Sequence, residues 1–343
     1  MNYFCSMFSE INIKEVFNSS LSIIDVRSPG EFEKGHIPNA VNIPLFTNDE
    51  RAHVGTVYKQ QSKEKAIELG YKYVTPKLQQ YINEALKVAP HQKVIVHCWR
   101  GGMRSQSFAQ HLSENGFNDV KVISGGYKAY RNYVLDTFDL PANLCVLGGY
   151  TGSGKTYILK EFQQKGEQVI DLEGLAHHKG SAFGGIEQGE QPTVEQFENN
   201  LHEQWLKLDL QKRIWLEDES HCIGGVNIPM PLFTQIRNAP LLFIEIPKEE
   251  RAKHLVVEYA RCNKTKLAES IHRIAKRMGY QNEKMAVELL EQDKFFEVAL
   301  LSLNYYDKGY IKGLQKRDEN TVTTLQLDSV DHAKNANKIL KYC

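Results

Sequence analysis

Short apolar, β-branched runs alternate with longer helical patterns along the first half of the chain. The runs LSIIDV, KVIVHC and VKVIS predict strands, because continuous apolar runs of this length are typical of buried strands. The stretches KLQQYINEAL and RSQSFAQHLSENG, which lie between or beside them, have helical periodicity. Strands separated by helices are typical of a parallel sheet, so this half predicts an α/β domain.

The second half repeats the alternation after a break. DLPAN, residues 139–143, carries a proline and turn-forming residues, so we predict a boundary between domains of residues 1–140 and 141–343. LCVLGG, EQVIDL, KRIWLEDE, PLLFIEIP and VTTLQLD then predict strands, and VEQFENNLHEQWLKLDLQK predicts a helix. The fold expected for the whole chain is two parallel-sheet α/β domains in succession.

Length and charge limit the functional classes. A chain of 343 residues suffices for two domains with their own cores. Lys and Arg together number 42, as do Asp and Glu, so a uniformly basic nucleic-acid-binding surface is excluded. Residues 251–277 nevertheless hold eight Lys or Arg against two Glu, which predicts a local basic helical segment for a polyanion.

Targeting signals and cysteine spacing point to one compartment. The sequence lacks an apolar run long enough for a membrane span, and its start lacks a signal-peptide pattern, so we expect a cytoplasmic protein without a membrane association. The six cysteines are widely spaced and form no CxxC pair. Neither a disulfide framework nor a zinc site is therefore expected.

One cysteine stands in a context suited to nucleophilic chemistry. In VIVHCWRGGMRS, Cys98 ends a strand pattern, Gly101 and Gly102 permit a tight loop, and Arg104 offers a fork of donors to an oxyanion. Backbone amides before a helix bind anions and stabilise a thiolate. Cys98, five residues, Arg104 and Ser105 match the cysteine-phosphatase pattern, but the loop also resembles a rhodanese loop with one extra residue.

A second loop predicts a phosphate site. GGYTGSGKT contains GxxxxGK[ST] between the strand LCVL and a helical run. Its expected diphosphate ligands are Gly149, Thr151, Gly152, Ser153, Gly154, Lys155 and Thr156. Thr156 is also a candidate Mg²⁺ ligand, and a second carboxylate is expected from another strand end. The sequence offers Asp171, Glu173, Glu217, Asp218 and Glu219 for this carboxylate, and position alone does not choose among them. Of these, Asp218 is the one that we name as a candidate Mg²⁺ ligand.

The segment upstream of the cysteine resembles the rhodanese first-strand signature. IIDVRSPGEFEKGHIPNAVNIP carries Asp25, Arg27, Glu31, His36 and Asn42 in the positions typical of that fold, and ISGGYKAY also fits. The extra loop residue suits an anion bulkier than the usual sulfur donor, such as a tetrahedral phosphorus compound. A rhodanese-like domain followed by a P-loop domain resembles the tRNA 2-selenouridine synthases over nearly the whole chain.

This resemblance implies an activity and roles for residues. The family replaces the sulfur of 2-thiouridine at the tRNA wobble position with selenium from selenophosphate, through an S-geranyl intermediate formed from geranyl diphosphate. It implies no tightly bound cofactor, tRNA as partner and a selenophosphate-producing enzyme as a second partner. By this resemblance Cys98 and Arg104 are catalytic, and the P-loop binds the diphosphate. The donor loop is Trp99, Arg100, Gly101, Gly102 and Met103, and the tRNA contacts are Arg261, Lys264, Arg273 and Arg277.

Two functions from other classes stay open at this point. A cysteine phosphatase fused to a nucleotide-binding module would release phosphate from an aryl phosphate. A non-catalytic adaptor that senses nucleotide and binds RNA would keep its function after Cys98→Ala.

Overall fold

The computed structural model describes residues 8–179, 189–259 and 263–342, without the side chains of 258 and 259. The chain divides into two compact units, Met1–Thr137 and Phe138–Cys343. Within the described residues, no helix is both long enough and apolar enough to cross a membrane. Cys5, Cys262 and Cys343 lie outside the described residues, as does Arg261.

The first unit is a five-stranded sheet in the order β1-β5-β4-β2-β3, with every pair parallel. Its strands are β1 (Ser9–Ile11), β2 (Ser22–Asp25), β3 (Val41–Asn42), β4 (Lys93–His97) and β5 (Asp119–Ile123). Its helices are α1 (Ile13–Phe17), α2 (Pro29–Lys34), α3 (Asn48–Gln60), α4 (Lys63–Val74), α5 (Leu78–Val88), α6 (Met103–Glu114) and α7 (Gly126–Thr137).

The predicted parallel sheet is confirmed, and its central strand is the most apolar. Val94, Ile95 and Val96 of β4 have no exposed surface, because helices cover both faces of a parallel sheet. The two predicted helical stretches correspond to α5 and α6. β1 and β3 were not predicted, since strands of three and two residues carry too little pattern.

The second unit has a parallel sheet in the order β12-β11-β6-β8-β7 and a separate antiparallel hairpin of β9 and β10. Its strands are β6 (Leu144–Gly149), β7 (Gln168–Val169), β8 (Ile214–Glu217), β9 (Cys222–Ile223), β10 (Val226–Asn227), β11 (Leu241–Glu245) and β12 (Val322–Gln326). Its helices are α8 (Lys155–Gln164), α9 (Leu172–Ala176), α10 (Val194–Trp205), α11 (Met230–Asn238), α12 (Lys248–Tyr259), α13 (Lys264–Met278), α14 (Tyr280–Glu291), α15 (Phe295–Leu314) and α16 (His332–Tyr342).

Five of these strands were predicted, but one predicted helix is shorter than expected. The stretch 194–212 is helical only to Trp205, the last residue of α10. The backbone then turns, and the amide of Asp209 donates to the side chain of Gln168 over 2.7 Å. This contact holds the segment after α10 against β7, so the helix does not continue beyond Trp205.

The helices α12 to α15 form a second apolar core outside the sheet. Leu255 of α12, Ile271 of α13, Leu290 of α14 and Leu303 of α15 are all buried in it. The basic segment predicted at 251–277 therefore spans two helices rather than one helical stretch.

Candidate active site

The cysteine loop of the first unit leaves the carboxyl end of β4 and enters α6. Gly101 has φ +66°, and a Cβ there would lie 2.4 Å from the carbonyl oxygen of Ile123. Gly126 has φ +59°, and its Cβ would lie 2.4 Å from the carbonyl oxygen of Cys98. The Tyr127 amide donates to the same Cys98 oxygen over 2.9 Å. The loop therefore packs backbone to backbone on the glycine turn that begins α7.

The thiol of Cys98 lies inside this loop and is 4% exposed. Its Sγ is 3.2 Å from the hydroxyl of Ser105, which also donates to the Gly102 carbonyl over 3.1 Å. Burial raises the pKa of the thiol, but the Ser105 hydrogen bonds, the charge of Arg104 and the Arg100 amide together lower it below its usual value. A lowered thiol pKa makes Cys98 a better nucleophile near neutral pH.

Arg104 is fixed by a carboxylate from α2. Its Nη1 donates to Oε2 of Glu31 over 2.9 Å, and both side chains are half-buried. Burial raises the pKa of Glu31, but the charge and hydrogen bond of Arg104 outweigh it, so the pKa is lowered and the pair stays ionised. Glu31 was predicted only as part of the rhodanese-like signature, and its pairing with Arg104 was not predicted. The ion pair holds a positive charge beside the thiol.

The predicted donor loop exposes large side chains at its surface. Trp99, Arg100 and Met103 are exposed, with Trp99 at 37% and Met103 at 48%. The Trp99 ring lies 5.7 Å from the ring of Tyr127, measured between centroids. The structure thus brings the predicted residues 98–104 together around the thiol, with apolar and cationic groups at the rim.

A buried polar cluster supports the loop from below. Arg27 Nη2 lies 2.6 Å from Asp25 Oδ2, and its guanidinium lies 3.8 Å from the centre of the Tyr127 ring. His97 Nε2 lies 3.6 Å from Asp25, and burial lowers the pKa of His97 most strongly, so the ring is neutral. These contacts link the end of β2 to the end of β4. They explain why Asp25 and Arg27 occur together with the cysteine loop, which they support.

The phosphate loop of the second unit joins β6 to α8. Gly152 and Gly154 have φ of +81° and +72°, and a Cβ at Gly154 would lie 2.8 Å from the His332 ring. Ser153 is completely buried, and its hydroxyl has no hydrogen-bond partner among the described residues. The predicted residues 149–156 therefore run from the end of β6, through a loop in which Thr151 is half-buried, into the first turn of α8.

Lys155 lies at the bottom of this loop. Its Nζ donates to the Gly149 carbonyl over 3.1 Å and lies 5.5 Å from the centre of the Tyr310 ring of α15. Burial lowers the pKa of Lys155, but Tyr310 and three nearby carboxylates outweigh burial and raise it. Lys155 therefore stays protonated and available to phosphate oxygens.

The three carboxylates belong to Glu173 of α9, Glu217 at the end of β8, and Glu219. Their oxygens lie within 4.8 Å of one another, and the Thr156 hydroxyl donates to Glu173 Oε2 over 3.1 Å. Burial and mutual repulsion raise the pKa of Glu173 to about 9 and that of Glu219 to about 8. Oε1 of Glu217 is buried without a hydrogen-bond partner among the described residues. This donor set suits a hard divalent cation such as Mg²⁺.

The metal role predicted for Asp218 is wrong. Its Oδ1 accepts hydrogen bonds from Arg317 Nη2 over 2.7 Å and from Arg237 Nη1 over 3.3 Å. Just past β8 the Glu219 amide donates to the Glu217 carbonyl over 3.0 Å, so the chain turns at Asp218; Glu217 and Glu219 join the acidic cluster, while Asp218 pairs with the two arginines. Asp171 caps α9 by accepting from the Gly174 amide, and its charge contributes to the raised pKa of Glu217.

The basic segment contains residues in different situations. Arg251 is buried and bonds to Asp307 and to the Thr151 carbonyl, so it supports the phosphate loop instead of a polyanion. Lys264 pairs with Asp293 over 2.7 Å at the surface. Arg261 lies outside the described residues.

Three exposed cations of α13 lie on one face. Lys266, Arg273 and Arg277 are exposed and spaced by seven and four residues, which places them on one side of a helix. Lys276 is exposed next to them. Arg273 and Arg277 were predicted as tRNA contacts, whereas the two lysines beside them were not. Lys264, which was also predicted, lies apart from this face.

Comparison with family models assigns both units. Residues 11–133 match a model described as a rhodanese-like domain. Residues 142–339 match a model described as the tRNA 2-selenouridine synthase AAA domain, which covers more than half of the chain.

Named proteins match over nearly the full length. A protein of Shewanella woodyi named tRNA 2-selenouridine synthase is 35% identical over 90% of this chain and 92% of its own. One of Serratia proteamaculans with the same name is 35% identical over 90% and 91%. The crystal structure of an N-terminal domain from Clostridium difficile 630 is 46% identical over 37% of this chain and 99% of that chain, with a TM-score of 0.35.

Proposed function

Because the chain belongs to the tRNA 2-selenouridine synthase family, we propose that it converts 2-thiouridine at the tRNA wobble position into 2-selenouridine. The proposed route is that of the resemblance: geranyl diphosphate alkylates the sulfur, and selenium from selenophosphate then displaces the alkylated sulfur. The observation that supports this proposal most is that one chain contains two separate anion loops. The cysteine loop has a reactive thiol, and the phosphate loop has none.

The phosphate loop supports the alkylation step. The thiocarbonyl sulfur attacks C1 of the geranyl group, the C1–O bond breaks, and diphosphate leaves with the bonding pair while the base loses its N3 proton. Lys155, the Thr156 hydroxyl and the loop amides would hold the diphosphate and stabilise its developing charge. An allylic diphosphate carries no nucleobase, so this loop would need no base-binding pocket.

The acidic cluster next to the loop fits a divalent cation. The carboxylates Glu173, Glu217 and Glu219 carry three negative charges when ionised, against one positive charge on Lys155. Their raised pKa values show that the protein alone does not neutralise them. These residues and Thr156 would hold Mg²⁺, which would screen the charge of the departing diphosphate.

The cysteine loop supports the selenium step. Selenophosphate is a tetrahedral anion, and the loop offers amides, the Ser105 hydroxyl and the charge of Arg104 around the Cys98 thiol. Residues 99–103 would form the wall of the donor site. In the displacement, selenium forms a bond to C2 of the base, and the C2–S bond breaks with release of geranyl thiolate. Water then hydrolyses the Se–P bond, so that phosphate leaves, selenium stays on C2 and N3 of the base regains its proton.

The tRNA partner requires a cationic surface, and the exposed face of α13 provides one. Arg273 and Arg277, with Lys266 and Lys276 beside them, would contact tRNA phosphates. A selenophosphate-producing enzyme is the proposed second partner, and the proposed location is the cytoplasm, where tRNA is found.

Reconstitution tests the proposal. The purified chain is incubated with thiolated tRNA, geranyl diphosphate and selenophosphate, and the digested nucleosides are identified by mass spectrometry. We expect 2-selenouridine in the complete mixture and S-geranyl-2-thiouridine when selenophosphate is left out. A complete mixture without either product, or release of phosphate from an aryl phosphate by the same preparation, would favour the alternatives.

A further inference from the structure

Trp99 differs from the other two tryptophans of the chain. It is 37% exposed, whereas Trp205 and Trp215 are buried. Its ring packs against Tyr127 at 5.7 Å, and its carbonyl accepts from the Lys128 amide over 2.9 Å. Trp99 directly follows Cys98, so an anchored aromatic ring with an accessible surface is one residue along the chain from the buried thiol.

The surroundings of this ring are cationic. Arg100 and Lys128 are exposed, and the half-buried Arg104 adds a third cation, which is paired with Glu31. The stretches CWRGGMRS and GGYK, which form the loop and the turn beneath it, contain no acidic residue. An aromatic ring among cations suits single-stranded nucleic acid, because bases stack on the ring and phosphates pair with the cations.

We propose that Trp99 is a stacking platform for one unpaired pyrimidine of RNA and holds that base beside the Cys98 thiol. Chemistry on a base requires that it leave the stack of its neighbours, and a protein aromatic ring replaces part of the lost stacking. The proposal rests on the proposed function only in naming the base as the wobble thiouridine or its S-geranyl form.

The alternative occupant of this surface is the alkyl chain. Met103 is 48% exposed in the same loop, so an apolar contact with a geranyl group would involve both side chains. A base requires the π face of a ring, whereas an alkyl chain requires only apolar surface. Trp99→Tyr and Trp99→Leu therefore separate the two occupants, since only tyrosine keeps an aromatic face.

Intrinsic fluorescence tests the platform without any catalysis, because Trp99 is the exposed member of three tryptophans. The full chain is titrated with a synthetic anticodon stem–loop RNA that carries 2-thiouridine at the wobble position. We expect this RNA to quench the solvent-exposed component of the emission, and the change to be absent in Trp99→Phe. The same RNA with an abasic wobble position should quench much less.

Three results would overturn the platform. They are no quenching by the thiolated RNA, equal quenching by the abasic RNA, and equal quenching by geranyl diphosphate alone. This readout stays valid even if wild-type protein makes no selenouridine, so failure of the platform and failure of the proposed function are distinguishable.

Kinetics give a second test with matched variants. With subsaturating pre-geranylated tRNA and selenophosphate, Trp99→Leu and Trp99→Ala should slow selenation roughly five- to hundredfold, the range for loss of one base–aromatic stack. Trp99→Tyr, which keeps an aromatic face, should stay within a few-fold of wild type. A Trp99→Leu variant as fast as Trp99→Tyr would show an alkyl contact and contradict the proposal.

Discussion

Two adjacent glycines of the cysteine loop should respond very differently to the same substitution. Gly101 has φ +66°, and an added Cβ would overlap the Ile123 carbonyl oxygen at 2.4 Å. Gly102 has extended backbone, with φ −94°, and an added Cβ would find no atom within 4 Å. Gly101→Ala should therefore distort the loop, while Gly102→Ala should leave its backbone in place.

The expected cost follows from these two geometries. An alanine in the left-handed region costs about 1–2 kcal/mol before any overlap. The overlap adds to it, because Ile123 ends β5, which is paired on both sides and cannot easily move. Any shift of the loop moves the amides and hydroxyl that lower the pKa of Cys98, and each unit by which that pKa rises reduces the thiolate fraction about tenfold at a pH below it.

The assay compares two cysteines in one protein. The Cys98 thiol is buried among stabilising donors, whereas Cys222 is exposed and its Sγ lies 3.8 Å from Nδ1 of His221. After a brief, limiting dose of iodoacetamide, peptide mapping gives the ratio of Cys98 to Cys222 labelling. In wild type the ratio should rise as the pH is lowered from 8.5 towards 6.5, since a lowered pKa keeps thiolate at a pH where an ordinary thiol is protonated.

Gly101→Ala should abolish most of this rise, and Gly102→Ala should retain it. Equal effects of the two substitutions would refute the argument from backbone conformation. A wild-type ratio that does not change with pH would refute the lowered pKa itself.

The remaining predictions concern the second unit. Without divalent cations at pH 8, Glu217→Gln should raise Tm, because it removes a buried carboxyl group whose pKa is raised by burial and whose ionisation therefore costs stability at that pH. Added Mg²⁺ should raise Tm of the wild type more than that of the variant, and a parallel response of both proteins would exclude this residue as a cation ligand. Exchange of Arg273 and Arg277 for Gln should weaken tRNA binding and reduce the salt slope by roughly 0.7 to 0.9 per lost contact, while Lys264→Gln, which alters an exposed ion pair away from that face, should change the slope much less. An unchanged slope in the double variant would contradict this interface.

The main strands and both anion loops could be predicted because their signals are local. A run such as KVIVH is apolar at successive positions, and GxxxxGK[ST] fixes its own backbone context. The acidic cluster could not be found this way, because Glu173 and Glu217 come from different elements and meet only in the folded sheet. Nor does a local pattern choose among Glu217, Asp218 and Glu219, because the chain turns just past β8, where the Glu219 amide donates to the Glu217 carbonyl.

Contacts that support the loops were also beyond local patterns. Arg251 appeared as one more cation in a basic segment, yet it is buried because Asp307, 56 residues later, supplies its charge partner. Gly101 and Gly102 look equivalent in the sequence, and only the backbone angles distinguish them.

The central claim is that alkylation and selenation use different loops, and a crossed pair of variants tests it directly. Lys155→Ala removes the charge at the phosphate loop, so it should form no geranylated tRNA but should still selenate pre-geranylated tRNA. Cys98→Ser replaces the thiolate with a neutral hydroxyl, so it should accumulate geranylated tRNA and make no selenouridine. Mass spectrometry of digested tRNA reads both products, and selenation by Lys155→Ala also reports that this variant is folded. Arrest of both variants at the same step, or normal geranylation by Lys155→Ala, would contradict the account.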